Sequence, residues 1–532
     1  MTLSLLEHFA LGEEPRPGQV KVLEAIESAF NKGYQTILLE APVGSGKSAI
    51  AMTLANWASS LGGSHILTPR KSLQDQYWED FAGPYVRLMK GRSAYPCTYH
   101  DKGRTRYLEV SKAIEAGAQV TLASGQTSCK EGPCLTSPAI RHICTEKDTK
   151  PCPYTIAMRS AQGSPTVIHN VHSFIFQGYL GENFSTRPLQ VIDECHELEG
   201  IVRDFATRKI TISIDSTPTE NYESLTKWCI FFREFSLSMD DSLIKSSGLT
   251  KRGEFLKLVD ELEDLVQYGL DKDFVIEKEV DRSRITFLFV PKNISRLMSK
   301  LLFDFGQKQV LMSGTIYSKS NFCRIHGLNE EKVCFIRIPS SIPVSNRPIY
   351  MKKEYMVDTS FANWSNNFQK LVSILQGILE KFPDCKGLIH TPSYKASAEL
   401  WLALASTGRV ITHDAKNFQT SLSKFYESKE PKVFLSPVCQ QGVDFKGDRA
   451  RFQIIVRVPY LNTSSEFIKE QIGADFSWYN HQAAVIFGQQ CGRINRSDDD
   501  WGATVLIDSR FPKFLDRNKD KFPNWLLNAI IR

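Results

Sequence analysis

The sequence predicts an α/β protein built from two parallel-sheet units, one in each half of the chain, with two insertions in the first. Three observations carry this expectation. Short apolar runs bounded by turn or polar residues recur in two sets, and helical patterns lie between them. Two long stretches inside the first set break that rhythm. The chain, at 532 residues, is also too long for one compact core and leaves room for several domains.

The first set of predicted strands is QTILLE (35–40), SHILTP (64–69), TVIHNV (166–171), LQVIDE (189–194) and QVLMSG (309–314). The second is GLIHTP (387–392), KVFLSP (432–437), FQIIVRVP (452–459) and ATVLIDS (503–509), with helical patterns at 365–381 and 481–490. Runs of this kind are buried strands of parallel sheets, and alternation with helices assembles them into α/β units. Of the two insertions, residues 90–160 are rich in Cys, Gly, Thr and Lys and show little strand periodicity. Residues 206–300 carry helical patterns at 221–240 and 252–268, and Phe255, Leu258, Val259, Leu262, Leu265 and Val266 fall on one face of the latter. This second insertion is therefore expected to be mostly helical. The first unit then comprises 1–89, 161–205 and 301–340, and the second 341–532.

With 42% hydrophobic and 23% charged residues, the composition is that of an ordinary globular protein. No stretch approaches the roughly 20 apolar residues that span a bilayer, so no membrane segment is expected. The start, MTLSLLEHFALGEE, has no basic segment followed by an apolar core and does not read as a secretory signal. A net charge of +6 neither requires nor excludes a nucleic-acid partner, because a phosphate-tracking groove needs local charge. Of the 12 cysteines, five lie between Cys97 and Cys152 and seven are scattered singly. That distribution points to an intracellular, reducing compartment, cytoplasm or nucleus, with the cluster a metal site rather than a disulfide knot.

APVGSGKS, residues Ala41, Pro42, Val43, Gly44, Ser45, Gly46, Lys47 and Ser48, follows the strand QTILLE and precedes a helical run. That is the context of a phosphate-binding loop. Gly44 and Gly46 let backbone amides face phosphate oxygens, Lys47 neutralises the β and γ phosphates of ATP, and Ser48 ligates Mg²⁺. Ala41 stands where many such loops carry a first glycine. VIDECHELE (191–199) places Asp193 and Glu194 at the end of an apolar strand. Asp193 suits the Mg²⁺ shell, and Glu194 suits orientation or deprotonation of an attacking water. An acidic pair alone is as readily a helix cap; the upstream loop gives it meaning. The gap of about 145 residues between the two motifs is wide for one sheet, and the Cys-rich insertion accounts for the excess.

In the second half QQCGRINR (489–496) follows a helical run and offers Gln489, Arg493 and Arg496 at spacings of four and three, which one helix face could present together. Arginines facing a γ-phosphate across a cleft stabilise transition-state charge and make hydrolysis depend on domain closure. SPVCQQGVDFKGD (436–448) adds a Gly-Val-Asp turn in which Gly442 permits close backbone approach and Asp444 could link the arginines to the nucleotide state.

Taken in order, these motifs resemble the superfamily 2 helicases, and within them the iron-sulfur XPD/DinG branch, over nearly the whole chain. RPGQ (16–19) is similar to a Q-type motif, TPRKSLQDQ (68–76) to motif Ia, DECH (193–196) to the Walker B box, and SGT (313–315) to motif III; residues 436–448 and 489–496 resemble motifs V and VI. Cys195 stands where the box usually has Ala, and Gly314 replaces the Ala of a Ser-Ala-Thr motif. The resemblance implies two RecA-like motor domains, and Arg16 and Gln19 at the nucleotide. KGRSAYPC (90–97), EGPCLTS (131–137) and CPYTIAMR (152–159) resemble the family's iron-sulfur insertion. The implied [4Fe-4S] ligands are Cys97, Cys134, Cys144 and Cys152, with Cys129 in place of Cys144 as the alternative. From the residues alone, four thiolates suit zinc as well. The helical insertion resembles the family's arch, which with the iron-sulfur domain frames a hole for single-stranded DNA.

The resemblance further implies ATP-driven 5′-to-3′ movement on single-stranded DNA, unwinding of tailed or forked duplexes, and a monomer. The motor motifs are equally compatible with an ATP-dependent nucleic-acid clamp or remodeller that separates no strands. With about 15 residues before the first motif, no added nuclease domain is expected.

Overall fold

The computed structural model describes residues 4–12, 14–97, 113, 122, 126–135, 152–239, 252–439, 443, 445–495 and 500–532. Among these, the first half forms a seven-stranded sheet from β1 (Thr36–Glu40), β2 (Ser64–Thr68), β3 (Val86–Met89), β4 (Thr166–Asn170), β5 (Arg187–Ile192), β9 (Gly306–Ser313) and β10 (Val333–Arg337). Their order is β10-β1-β9-β5-β2-β4-β3, with every pairing parallel. Each strand is short and apolar and is followed by a helical or turn segment, so neighbours are reached by crossover connections that cover both faces. On one face Val22, Leu23 and Ile26 of helix α1 (Pro17–Asn31) and Ile50, Leu54 and Trp57 of helix α2 (Lys47–Ser59) close a core against β1.

The second half repeats the plan with β11 (Ile349–Tyr350), β12 (Gly387–His390), β13 (Val410–Ile411), β14 (Val433–Ser436), β15 (Phe452–Ile455), β16 (Ala503–Leu506) and β17 (Ile530–Ile531), in the order β13-β14-β12-β15-β16-β11-β17 and parallel throughout. The expected helices are present as Trp364–Lys381 and Phe476–Cys491. The expected strands of both halves are present too, and β3, β10, β11, β13 and β17 add to them at the edges and near the termini of each sheet. These additions are mostly two to five residues long and carry too little period to stand out.

The second insertion departs from expectation. Its two helices exist, at Leu225–Ser238 and Arg252–Gln267, with Phe255, Val259, Leu262 and Leu265 buried on one face. It is not mostly helical, however. β6 (Arg208–Ser213), β7 (Phe274–Asp281) and β8 (Arg284–Pro291) form an antiparallel sheet ordered β6-β8-β7. The outer strand β7 alternates apolar and charged residues only in part, and its exposed end, Glu279–Asp281, hides the strand period. The sheet also touches the second half: Val275, Leu288 and Val290 pack with Phe467, Trp478 and Tyr479. Glu277 accepts from the Ser465 hydroxyl and from the Phe467 amide (3.2 Å), capping the helix Glu466–Ala474. No helix among the described residues is long and apolar enough to cross a membrane.

Candidate nucleotide site

Sheet register sets the site. Glu40, the last residue of β1, lies between Ser313 of β9 and Arg337 of β10, so the loop 41–48 leaves the sheet beside SGT. Ala41 donates its amide to Ser313 O at 2.9 Å. Gly44 (φ 84°) and Gly46 (φ 78°) take the left-handed backbone that side chains resist, and Gly46 starts helix α2. Any Cβ on Gly46 would collide with the Gln19 amide, so the glycine also makes room for Gln19. Gln19 Oε1 accepts the Arg16 amide at 2.9 Å, and Arg16 Nη1 reaches Gly44 O at 3.4 Å. Arg16 and Gln19 thus brace the loop from α1. Ser45 Oγ donates to Pro42 O at 2.7 Å, and Lys47 Nζ donates to Ala41 O at 3.1 Å, curling the lysine over the loop it serves.

Asp193 follows β5, and its amide donates to Leu67 O at 2.9 Å. Glu194 adopts φ 48°, a strained left-handed conformation for a non-glycine, and its amide donates to Asp193 Oδ1 at 2.8 Å. The two carboxylates are driven apart electrostatically. Burial pushes Asp193 up to about 6, with the adjacent Glu194 charge adding and Lys47 opposing. Burial acts on Glu194 in the same direction, but Lys47, His196 and Arg493 outweigh it and hold Glu194 below the usual carboxylate range.

A continuous polar path leads from this box into the second half. His196 Nδ1 lies 2.8 Å from Ser313 Oγ, which accepts the Thr315 amide at 3.1 Å. Thr315 Oγ1 accepts from Gln489 Nε2 at 2.8 Å, and Gln489 Oε1 accepts from Arg493 Nη2 at 2.9 Å. Ser313, Thr315, Gln489 and Arg493 are all buried, where such bonds are strongest and costly to leave unmade. The helix ends at Cys491, so Arg493 lies in the turn beyond it and curls back, its Nε donating to Gln489 O at 3.0 Å. The expectation of one helix face presenting Gln489 and Arg493 together is corrected accordingly. Arg496, Gly442 and Asp444 lie outside the described residues.

Several residues that sequence reasoning passed over complete the site. Tyr77, on helix α3 (Lys71–Phe81), donates its hydroxyl to Asp193 Oδ2 at 3.0 Å. The buried Glu40 pairs with Arg337 Nε at 2.6 Å and accepts the Tyr317 amide. Tyr317 (φ 61°) is buried against Gly488, where any Cβ would overlap its ring. Glu199, after the DECH box, accepts from Arg203 Nη2 (2.9 Å), Trp478 Nε1 (2.9 Å) and Gln482 Nε2 (2.7 Å), the last two from the second half. Each is an aromatic or a charge that reads as core or surface until its distant partner is known.

Ser48 and the Asp193 carboxylate offer hard oxygens at the loop, the donor type Mg²⁺ takes alongside phosphate and water. Glu194 Oε2, buried and 3.4 Å from His196 Nδ1, has no hydrogen-bond partner among the described residues. These groups fit a hydrated Mg²⁺. In the first insertion Cys97, Cys129, Cys134 and Cys152 are all buried. A Cβ on Gly132 would lie 3.2 Å from Cys97 Sγ and 3.6 Å from Cys134 Sγ, while the Cys129 thiol donates to Pro96 O and the Cys152 thiol lies 3.2 Å from Thr155 Oγ1. The thiol chemistry suits an iron-sulfur cluster. Yet among the described residues no three His, Cys, Asp or Glu side chains converge closely enough to hold a metal ion, and Cys144 lies outside them.

Two family models match the chain: the type III restriction enzyme res subunit over residues 13–220 and the helicase C-terminal domain over residues 376–529. The regulator of telomere elongation helicase 1 homolog of Caenorhabditis elegans is 23% identical over 379 residues, covering 63% of this chain and 37% of its own length. The Arabidopsis thaliana homolog is 21% identical, covering 93% of this chain and 64% of its own. The chain therefore spans between about a third and two thirds of these relatives. Among solved structures, an XPD helicase superposes with a TM-score of 0.58 at 14% identity, covering 98% of this chain and 100% of its own. With both motor halves matched, the loop, acidic box and arginine turn in family order, and the XPD fold throughout, the chain belongs to the superfamily 2 helicases, in their XPD/DinG branch.

Proposed function

We propose that the chain is an ATP-driven helicase that moves 5′ to 3′ on single-stranded DNA and opens tailed or forked duplexes. One observation supports it above the others: the hydrogen-bonded path His196, Ser313, Thr315, Gln489, Arg493, which joins the nucleotide box to the opposite motor. In this reading the loop amides of Gly44 to Ser48 and the Lys47 ammonium take the phosphates of ATP. Lys47 exchanges its bond to Ala41 O for a phosphate oxygen. Glu194, held ionised by its cationic neighbours, accepts a hydrogen bond from the attacking water and orients it, while Arg493, still linked to Gln489, turns its free donors to the charge developing on the γ-phosphate. Mg²⁺, held by Ser48 and through its water shell by Asp193, would neutralise charge on the β and γ phosphates.

Arg493 is tied to Thr315 through Gln489 and keeps part of that bonding as its free guanidinium donors turn to phosphate, so its move pulls on SGT and the box. That pull converts closure into displacement of a strand lying across both halves. Backbone-phosphate contacts make such movement sequence-independent and salt-sensitive. DNA as the strand is supported by the relatives, which are named as telomere elongation helicases.

Unwinding assays on duplexes with a 5′ or a 3′ tail, with Lys47→Ala as control, test the reading. Unwinding from the 5′ tail alone, abolished by Lys47→Ala, is expected. ATP hydrolysis without strand separation overturns it in favour of a clamp or remodeller, unwinding from the 3′ tail overturns the polarity, and turnover retained by Lys47→Ala overturns the nucleotide site. The first insertion carries an iron-sulfur cluster in the same reading, on Cys97, Cys134, Cys144 and Cys152, with Cys129 in place of Cys144 as the alternative. Iron and sulfide analysis of anaerobically purified Cys129→Ser and Cys144→Ser checks it: only the latter is expected to lose the cluster.

A further inference from the structure

The buried aromatic next to the Walker box is not a passive part of the core. Helix α3 is pinned to the sheet by Gln74, whose amide donates to Met89 O (2.9 Å) and Ile168 O (3.2 Å). One turn on, Tyr77 is fully buried, its ring against Phe81. Its hydroxyl donates to Asp193 Oδ2, 116 positions away in sequence, at 3.0 Å. Ser48, at the end of the phosphate loop, lies within electrostatic reach of the same phenol. Asp193 Oδ1 is already committed to the Glu194 amide at 2.8 Å. Both carboxylate oxygens are therefore oriented, one by the strained backbone and one by the phenol. The same helix begins after Arg70, which is paired with Glu197 just past the box.

We propose that Tyr77 is a positioning residue for the metal side of the nucleotide site: its hydroxyl, bonded to Asp193, fixes the carboxylate that receives the metal's water shell. Resting on the proposed nucleotide reading, it assigns a role to a residue that touches neither ATP nor metal. A fixed carboxylate loses no orientational freedom when the hydrated ion arrives, and outer partners of this kind are typically worth roughly 10- to 100-fold in metal affinity. Phosphate binding by the loop amides and Lys47 does not pass through the phenol, so nucleotide affinity without metal is independent of it.

The test is Tyr77→Phe, which removes one oxygen from a packed site and keeps the ring, with folding checked by thermal denaturation. Binding of a fluorescent ATP analogue is titrated without metal and at increasing Mg²⁺, and Mn²⁺ binding beside a non-hydrolysable analogue is followed by electron paramagnetic resonance. The expected result is metal-free nucleotide affinity within twofold of the parent, a half-saturating metal concentration raised about 10-fold or more, and an altered Mn²⁺ signal. Unchanged metal dependence overturns the proposal. So does a parallel loss of metal-free binding or a failure to fold, since either makes Tyr77 a structural residue only. Failure here is separable from failure of the nucleotide site itself: Lys47→Ala retaining turnover removes the latter, whereas Lys47→Ala inactive with Tyr77→Phe normal removes only this inference.

Discussion

The two motor halves share a parallel seven-stranded plan but hold their functional groups in different ways. In the first, the groups sit on loops leaving β1, β5 and β9, and the backbone there is strained at Glu194 after β5 and Tyr317 after β9, both non-glycines at positive φ. Buried carboxylates meet there as well, Glu40 and Asp193 with Glu194 beside them, whereas the buried carboxylates of the second half, Asp500 and Asp508, are each paired with an arginine, Arg451 and Arg510. In the second half, Gln489 and Arg493 come from a regular helix and the turn after it. The difference teaches a division of labour. The first half stores strain and desolvated charge to hold a nucleotide ready, and the second supplies relaxed groups whose placement depends on how the halves meet.

If that division holds, the largest single effect belongs to Arg493. Arg493→Ala is expected to lower ATP turnover by about 10³-fold or more while leaving nucleotide binding nearly unchanged, measured by steady-state hydrolysis beside equilibrium binding. Arg493→Lys rescues little, because lysine cannot reproduce the paired contacts to Gln489 and Val443 O. Gly488→Ala attacks the contact between halves without touching charge. The methyl overlaps the Tyr317 ring, so a cost of about 1–3 kcal/mol and a higher nucleotide concentration for closure are expected, read by thermal denaturation and by fluorescence transfer between dyes on the two halves.

Glu199→Gln sharpens the comparison from the other side. It leaves every motif intact and weakens only the three donors of Arg203, Trp478 and Gln482. A loss of about 1–3 kcal/mol, appearing in strand-stimulated rather than basal hydrolysis, is expected.

The smallest effect near neutrality is the pH dependence of folding. Burial drives His65 down to about 3, and His326, His390 and His481 down to about 4, so all four are neutral in the folded chain. A folded-state value below the ordinary 6.5 means the contribution is complete above that pH and lost as pH falls toward 4 and then 3. Each histidine then removes up to about 1.4 kcal/mol per pH unit. His326 and His481 lie at the contact between halves, within electrostatic reach of each other and of Glu199. Closure is therefore expected to weaken at or before the pH at which the sheets unfold, checked by fluorescence transfer and circular dichroism over one titration.

How much of this was legible in the sequence follows from the range of each interaction. The long strands, the loop 41–48, the acidic pair and the major helices are local: a run of five apolar residues or two glycines before a lysine carry their meaning within a few positions. The antiparallel sheet of the second insertion was half legible. RITFLFVP reads as a strand on composition, but β6 lies 71 or more positions before its partner β8, and β7 is charged at its exposed end. The edge strands β13 and β17, two residues each, have no period to detect.

The sequence by itself determined the two α/β halves, the nucleotide loop, the acidic box and the family, because hydrophobic period and phosphate chemistry are written in short contiguous segments. Only the tertiary structure decided that Tyr77 meets Asp193, that Glu199 meets Trp478 and Gln482, and that Gln489 links Thr315 to an arginine beyond the helix end. These are buried polar contacts between residues far apart in the chain, formed where desolvation makes each unpaired group costly. The identity of a partner is then set by sheet register and by the meeting of two domains, and no local pattern encodes either.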